Sequence, residues 1–142
     1  MNIAELEKKL QRLAVKHDVL PSSVDDATLG AMLFDAARTI ATDHDVNERA
    51  ATDALAAWLD GNGTVLRYDA VELRRQLVDW RFIVRDGFGR AYRLAPVAPA
   101  RFSEVCAAAA SLDFTSLIAD ARTRDAEVRA SRKAAYLAQL AA

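Results

Sequence analysis

The chain is 142 residues long, about half of them apolar, with a net charge of −1. That suits an ordinary soluble globular protein with a proper core. No apolar run approaches the ~20 residues of a membrane span, the N-terminus lacks a secretory apolar core, and a single cysteine, Cys106, excludes an internal disulfide and fits a reducing cytoplasm.

Ile3 to about Val19 reads as an amphipathic helix, with Ile3, Leu6, Leu10, Leu13 and Val15 as its apolar positions. Lys8, Lys9, Arg12 and Lys16 form its solvated face. Pro21, Ser22 and Ser23 break it. Asp25 or Asp26 then caps a second helix to about Ala41, with Leu29, Met32, Leu33, Ala36, Ala37 and Ile40 inward. The pair makes an N-terminal helical hairpin over residues 1–42, placed either to dock on the core or to mediate dimerisation. A third helix spans Val46 to Leu59, with Ala51, Ala54, Leu55, Trp58 and Leu59 available to the core. Asp43-His44-Asp45 holds metal-type ligands, but adjacent residues do not converge on one ion, so the cluster reads as a helix start. Asp60-Gly61-Asn62-Gly63 is a turn. It is not a calcium loop, because Val65 and Val71 stand where such a loop needs Gly and Glu. Thr64 to Arg67 reads either as a short strand pairing with the hairpin that follows or as the remnant of a middle helix.

Tyr68 to Leu94 is the most informative stretch. Asp69 is a good N-cap, Glu72 suits the first turn, and the helix runs over residues 70 to 81. Ala70, Val71, Leu73, Leu77, Val78 and Trp80 fall on its buried half, with Glu72, Arg75, Gln76 and Asp79 facing out. Arg74 falls among the apolar positions and reads as a structural arginine, paired with Asp79, Asp86 or an acid of the preceding helix. Phe82 to Arg85 is a strand, Asp86 to Arg90 a turn with Gly87 and Gly89 taking positive φ, and Ala91 to Leu94 the return strand. Phe82 and Val84 share one face, as do Tyr92 and Leu94. Pro96 and Pro99 end the pairing. A helix running into a tight basic hairpin is how a winged helix-turn-helix ends.

Leu73-Arg74-Arg75-Gln76-Leu77-Val78-Asp79, followed by Arg85, Gly89 and Tyr92, resembles the LRRxLVD…R…G..Y signature of a bacterial domain of unknown function, number 2087. Val46-Asn47 resembles a second, weaker element of that family. The resemblance covers about residues 43 to 95. It implies a winged helix, sometimes fused to transcriptional regulators, and no established activity. The chain departs from the pattern at Trp80-Arg81, where the family often has a glycine to end the helix.

After Pro99, Phe102 to Leu112 is an alanine-rich helix, with Ser103 or a neighbour as its cap and Cys106 as a small buried hydrophobe. Asp113 or Thr115 starts a last helix to about Leu140. Its apolar stripe of Leu117, Ala121, Val128, Ala135 and Leu140 is thin, so it must lie on the domain or pair with another copy. The expected fold is mainly α with a small β-hairpin. A winged helix-turn-helix-like core over residues 43–95 is flanked by the helical hairpin and by a C-terminal extension over 96–142.

No glycine-rich phosphate loop, GxSxG or CxxC occurs, so an enzyme is not expected, nor is a cofactor or a metal. Charge is unevenly spread: residues 64–95 hold seven arginines against four acids, and residues 43–63 one base against five acids. The expected function is double-stranded DNA binding in transcription regulation. The helix would enter the major groove with Arg75 and Gln76 toward base edges, while Arg67, Arg85, Arg90 and Arg93 meet phosphates. Glu72 and Asp79 on the same outward face oppose this. The alternative is a protein-interaction or homodimerisation module, using the N- or C-terminal helices on a winged-helix frame. Neutralisation of Glu72 and Asp79 by Arg75 and Arg81 would favour that alternative.

Overall fold

The computed structural model describes residues 1–88 and 90–142. Gly89, one of the two glycines expected to take positive φ in the turn, lies outside the described residues. In chain order the elements are α1 (Ile3–Ala14), α2 (Asp26–Ala37), β1 (Val46–Asn47), α3 (Glu48–Asp60), α4 (Ala70–Asp79), β2 (Ile83–Arg85), β3 (Ala91–Leu94), α5 (Ser103–Ala109) and α6 (Phe114–Ala141). The protein is mainly α with one small antiparallel sheet of order β1-β3-β2. From α2 to β3 the order is helix, strand, two helices and two strands, with the first strand on the outer edge of the hairpin, which is the winged-helix arrangement.

The helix starts follow from short polar side chains. Asn2, Asp25, Asn47, Asp69 and Asp113 each accept a hydrogen bond from the backbone N–H three residues on, satisfying a donor that the first turn leaves free. α1 ends at Ala14, not near Val19. Asp18 takes a left-handed φ of 51°, and Val19 leaves the helix to bridge the chain at Leu66, donating to Val65 O at 2.7 Å and accepting from Arg67 N at 2.8 Å. Thr64 to Arg67 therefore pairs with the α1–α2 loop; it is neither a strand of the wing nor a middle helix. Gly63 lies so close to the Trp58 ring that a Cβ there would sit 2.2 Å from it, so this turn tolerates no side chain.

Three expectations for the middle of the chain change. Val46 and Asn47 open no helix; they pair with Tyr92 and Ala91 as β1, and α3 begins only at Glu48. Asp43-His44-Asp45 is consequently a loop before a strand, with His44 Nδ1 2.8 Å from Asp43 Oδ1. On α4, Val71, expected on the buried half, is exposed, while Arg74 is buried with Leu73 and Leu77 as expected.

The end of α4 explains the strand that follows. Phe82 N donates to Leu77 O at 2.9 Å and Arg81 N to Val78 O at 3.1 Å, with Arg81 at φ 67°. This is a Schellman cap with arginine in the position glycine usually takes. It drives Phe82 into the core, where its ring stacks on Phe102 at 5.4 Å. The strand proper begins at Ile83, opposite Leu94. Ile83, Arg85, Tyr92 and Leu94 share one sheet face, and Val84 and Arg93 the other. Phe82 and Val84 thus do not share a strand face: Phe82 lies before the strand and is buried, whereas Val84 is exposed.

One buried cluster runs through all six helices, drawing on Leu6, Leu10, Leu33, Leu55, Leu73 and Ile118 among others. Ile3, expected inward, is exposed. α5 lacks a side-chain cap and enters from a 3₁₀ turn at Ala100–Phe102. α6 packs its first turns through Phe114, Ile118 and Ala121, but from Ala126 onward every residue is exposed. Among the described residues, no single helix is long and apolar enough to cross a membrane.

Candidate nucleic-acid interface

α4 is flanked by two concave surfaces of opposite character. On one side, Arg74, Arg75, Val78 and Asp79 face Glu48 of α3 and Arg85, Phe88 and Tyr92 of the hairpin across a cleft of about 310 Å³. On the other, Tyr68, Asp69, Glu72, Gln76 and Trp80 face Leu20, Pro21, Ser22 and Leu29 across one of about 490 Å³.

The arginines of this region divide into occupied and available groups. Arg67 donates through Nε and Nη2 to Asp18 at 2.9 and 2.7 Å. The hydrogen bond from Arg67 holds the Asp18 carboxyl below its ordinary range. Arg93 donates to Asp45 Oδ1 at 2.7 Å on the outer sheet face, away from Arg85. Arg74 is the structural arginine: Nη1 donates to Thr52 Oγ1 at 2.7 Å, Nη2 lies 3.1 Å from Glu48 Oε1, and the guanidinium sits 5.5 Å from the Tyr92 ring centroid. Its partner is the acid at the start of the preceding helix. By contrast, Arg75, Arg85 and Arg90 have no side-chain hydrogen bond or ion pair among the described residues. Arg75 and Arg85 line the wing-side cleft together, and Arg90 lies at the hairpin turn.

Gln76 belongs to the other flank. Its Oε1 accepts from the Tyr68 hydroxyl at 2.6 Å, which turns it away from the wing. Burial pushes the Tyr68 phenol up to about 12. Asp69 caps α4 and is held low by the Glu72 backbone N–H, while the hydrogen bond between their carboxyls raises Glu72. Neither Glu72 nor Asp79 is in an ion pair with Arg75 or Arg81, so the outward face is not closed on itself. Of the six residues expected to meet DNA, the structure brings Arg75 and Arg85 together and sets Arg90 nearby. Arg67, Gln76 and Arg93 are engaged elsewhere.

Phe88, read from sequence only as part of the turn, is the most exposed large apolar side chain, at 86%. Asp86 Oδ1 accepts from Phe88 N at 3.2 Å and from Arg90 N at 2.8 Å, a tight side-chain turn that shapes the hairpin tip. The sequence signal for it was an aromatic between two turn glycines, where no core is within reach.

A sequence profile described as an uncharacterized protein conserved in bacteria, DUF2087, matches residues 21–94, just over half of the chain. The chain belongs to the DUF2087 family. The DUF2087 match begins upstream of the signature residues and takes in α2, the first helix of the winged-helix order, so the whole frame around the cleft lies inside it. No curated protein matches the chain, and neither does any solved structure.

Proposed function

We propose that this DUF2087 protein is a non-enzymatic DNA-binding protein of the cytoplasm that acts in transcription regulation, gripping the phosphate backbone from the wing side of α4. The observation that carries the reading is that Arg75 and Arg85, from different elements, converge on one open cleft with no carboxylate bound to either. Arg67, Arg74 and Arg93 are tied down by Asp18, Glu48 and Asp45, and Arg81, also without an ion pair among the described residues, lies at the end of α4 and does not line the cleft, which leaves Arg75 and Arg85, with Arg90 at the turn, as the available cations there. Burial pushes the Cys106 thiol up to about 11, which disfavours its thiolate at neutral pH.

The test is fluorescence anisotropy of labelled random-sequence DNA across a salt series. Binding in the micromolar range that falls steeply with salt is expected. The double variant Arg85→Ala, Arg90→Ala should weaken it at least tenfold and flatten the salt slope by about two. No binding at low salt, or a double variant that binds like wild type, refutes the reading.

A second reading, homodimerisation through α6, is favoured by its C-terminal half. Tyr136, Leu137 and Leu140 are 60%, 53% and 64% exposed there, on a stretch whose every residue is exposed. A helix so unsupported is marginal alone.

A further inference from the structure

We infer that the wing-side cleft holds a single strand of nucleic acid with one base unstacked onto Phe88, in preference to an intact duplex. The inference rests on the DNA-binding reading and names the form of DNA the site takes.

The two flanks of α4 decide between the forms. A helix in the major groove, ~12 Å wide, meets a phosphate wall on each side. Here the wing-side flank offers Arg75 and Arg85 beside two carboxylates, of which Glu48 is neutralised by Arg74 and Asp79 is not, with Arg90 beyond at the hairpin turn. The opposite flank offers Asp69 and Glu72, and its one arginine, Arg67, is neutralised by Asp18. The helix N-terminus, often a phosphate site, is already capped by the Asp69 carboxylate. A duplex would therefore press one backbone onto two carboxylates. A single strand needs only the wing-side flank, where Arg75 and Arg85 outnumber the one carboxylate without an ion pair, Asp79.

The cleft also provides what a single strand uses and a duplex hides. Bases of an unpaired strand expose their faces and stack on aromatic rings beside a basic track. Phe88 projects beside Arg85 with its ring almost wholly in solvent. Asp86 Oδ1 accepts from Phe88 N and Arg90 N, which ties the Phe88 backbone to the residue that follows Arg85, so ring and cation stand side by side before the ligand arrives.

The experiment compares a labelled mixed-sequence single strand with its matched duplex, by anisotropy at one low salt concentration, on the full chain. Single-strand binding should be at least tenfold tighter. Phe88→Ala should weaken it by roughly fivefold to a hundredfold, the loss expected of one stacked base. Phe88→Trp should retain it, and residual duplex binding should not change in either variant. Duplex binding as tight as single-strand binding, or a Phe88→Ala variant with undiminished single-strand affinity, overturns the inference. If Arg85→Ala with Arg90→Ala still lowers binding in that case, the DNA-binding reading survives it. Absence of binding to either form overturns both.

Discussion

Arg81 carries a backbone conformation that its side chain does not favour. A left-handed φ costs an ordinary residue ~1–2 kcal/mol, whereas glycine adopts it freely but loses ~0.5–1 kcal/mol more entropy on folding. At φ 67° the first effect is larger. Arg81→Gly should therefore stabilise the fold by about 0.5–1 kcal/mol, read as a higher urea midpoint at unchanged slope. Arg81→Ala should give no such gain, and equal gains would point to the arginine side chain instead. Tyr68 makes a second case at this scale. Its phenol ionises near 10 in the unfolded chain and, through burial, near about 12 in the folded one. Between those values the unfolded chain releases a proton that the folded chain keeps. The stability tied to Tyr68 is thus whole below pH 10 and falls as pH rises toward 12. Urea midpoints at pH 9 and pH 11 should show wild type losing ground to Tyr68→Phe. A gap that stays constant would mean that the phenol titrates normally.

At the scale of elements, the joint between α3 and α4 depends on Arg74. It bonds Thr52 and Glu48 from within the packed face of α4 and lies over Tyr92. Arg74→Ala removes the charged hydrogen bond to Thr52 and the ion pair with Glu48, a loss of about 2 kcal/mol. Arg74→Met keeps the aliphatic packing and should cost about half as much. Equal losses in thermal melts would show that the polar contacts, not the stem, hold the joint. The helix and its inward arginine were legible in the sequence: the Asp69 cap and the spacing of Leu73 and Leu77 mark the element, and a lone Arg on an apolar face implies a partner. Which cations stay available was not legible. Arg67–Asp18 and Arg93–Asp45 join residues about fifty apart in sequence, brought together only by the Val19–Leu66 bridge and the β1–β3 pairing. The two-residue β1 was hidden because Val46-Asn47 leads directly into a helix, and Asn47 is also the helix cap. The start of β2 differs by one residue from the sequence expectation because the Schellman cap takes Phe82 out of the strand.

For the whole molecule, the decisive part is the end of α6, which stands apart from a core that is otherwise continuous. Phe114, Ile118 and Ala121 anchor the helix, Arg122 donates to Thr64 Oγ1 at 2.8 Å, and Asp125 pairs with Arg129 at 3.0 Å. Beyond Arg129 nothing in the fold would lose a buried contact if the chain stopped, since every residue there is exposed. A chain ending at Ser131 should therefore melt within about 0.5 kcal/mol of the full-length protein at low concentration, as surface changes do. The two proteins should separate as concentration rises. If a second copy covers Tyr136, Leu137 and Leu140, mass action makes the melting temperature of the full chain climb with concentration, and sedimentation shows a dimer that the shortened chain lacks. If both chains sediment as monomers with concentration-independent melting, α6 is no self-association element. If the shortened chain is markedly less stable when dilute, the tail must be packing on its own domain. DNA binding through Arg75 and Arg85 should persist in the shortened chain at the affinity of one site, because the cleft lies entirely upstream of α5. Loss of concentration dependence with retention of single-site binding would show that the winged-helix frame does the recognition and the tail only doubles it.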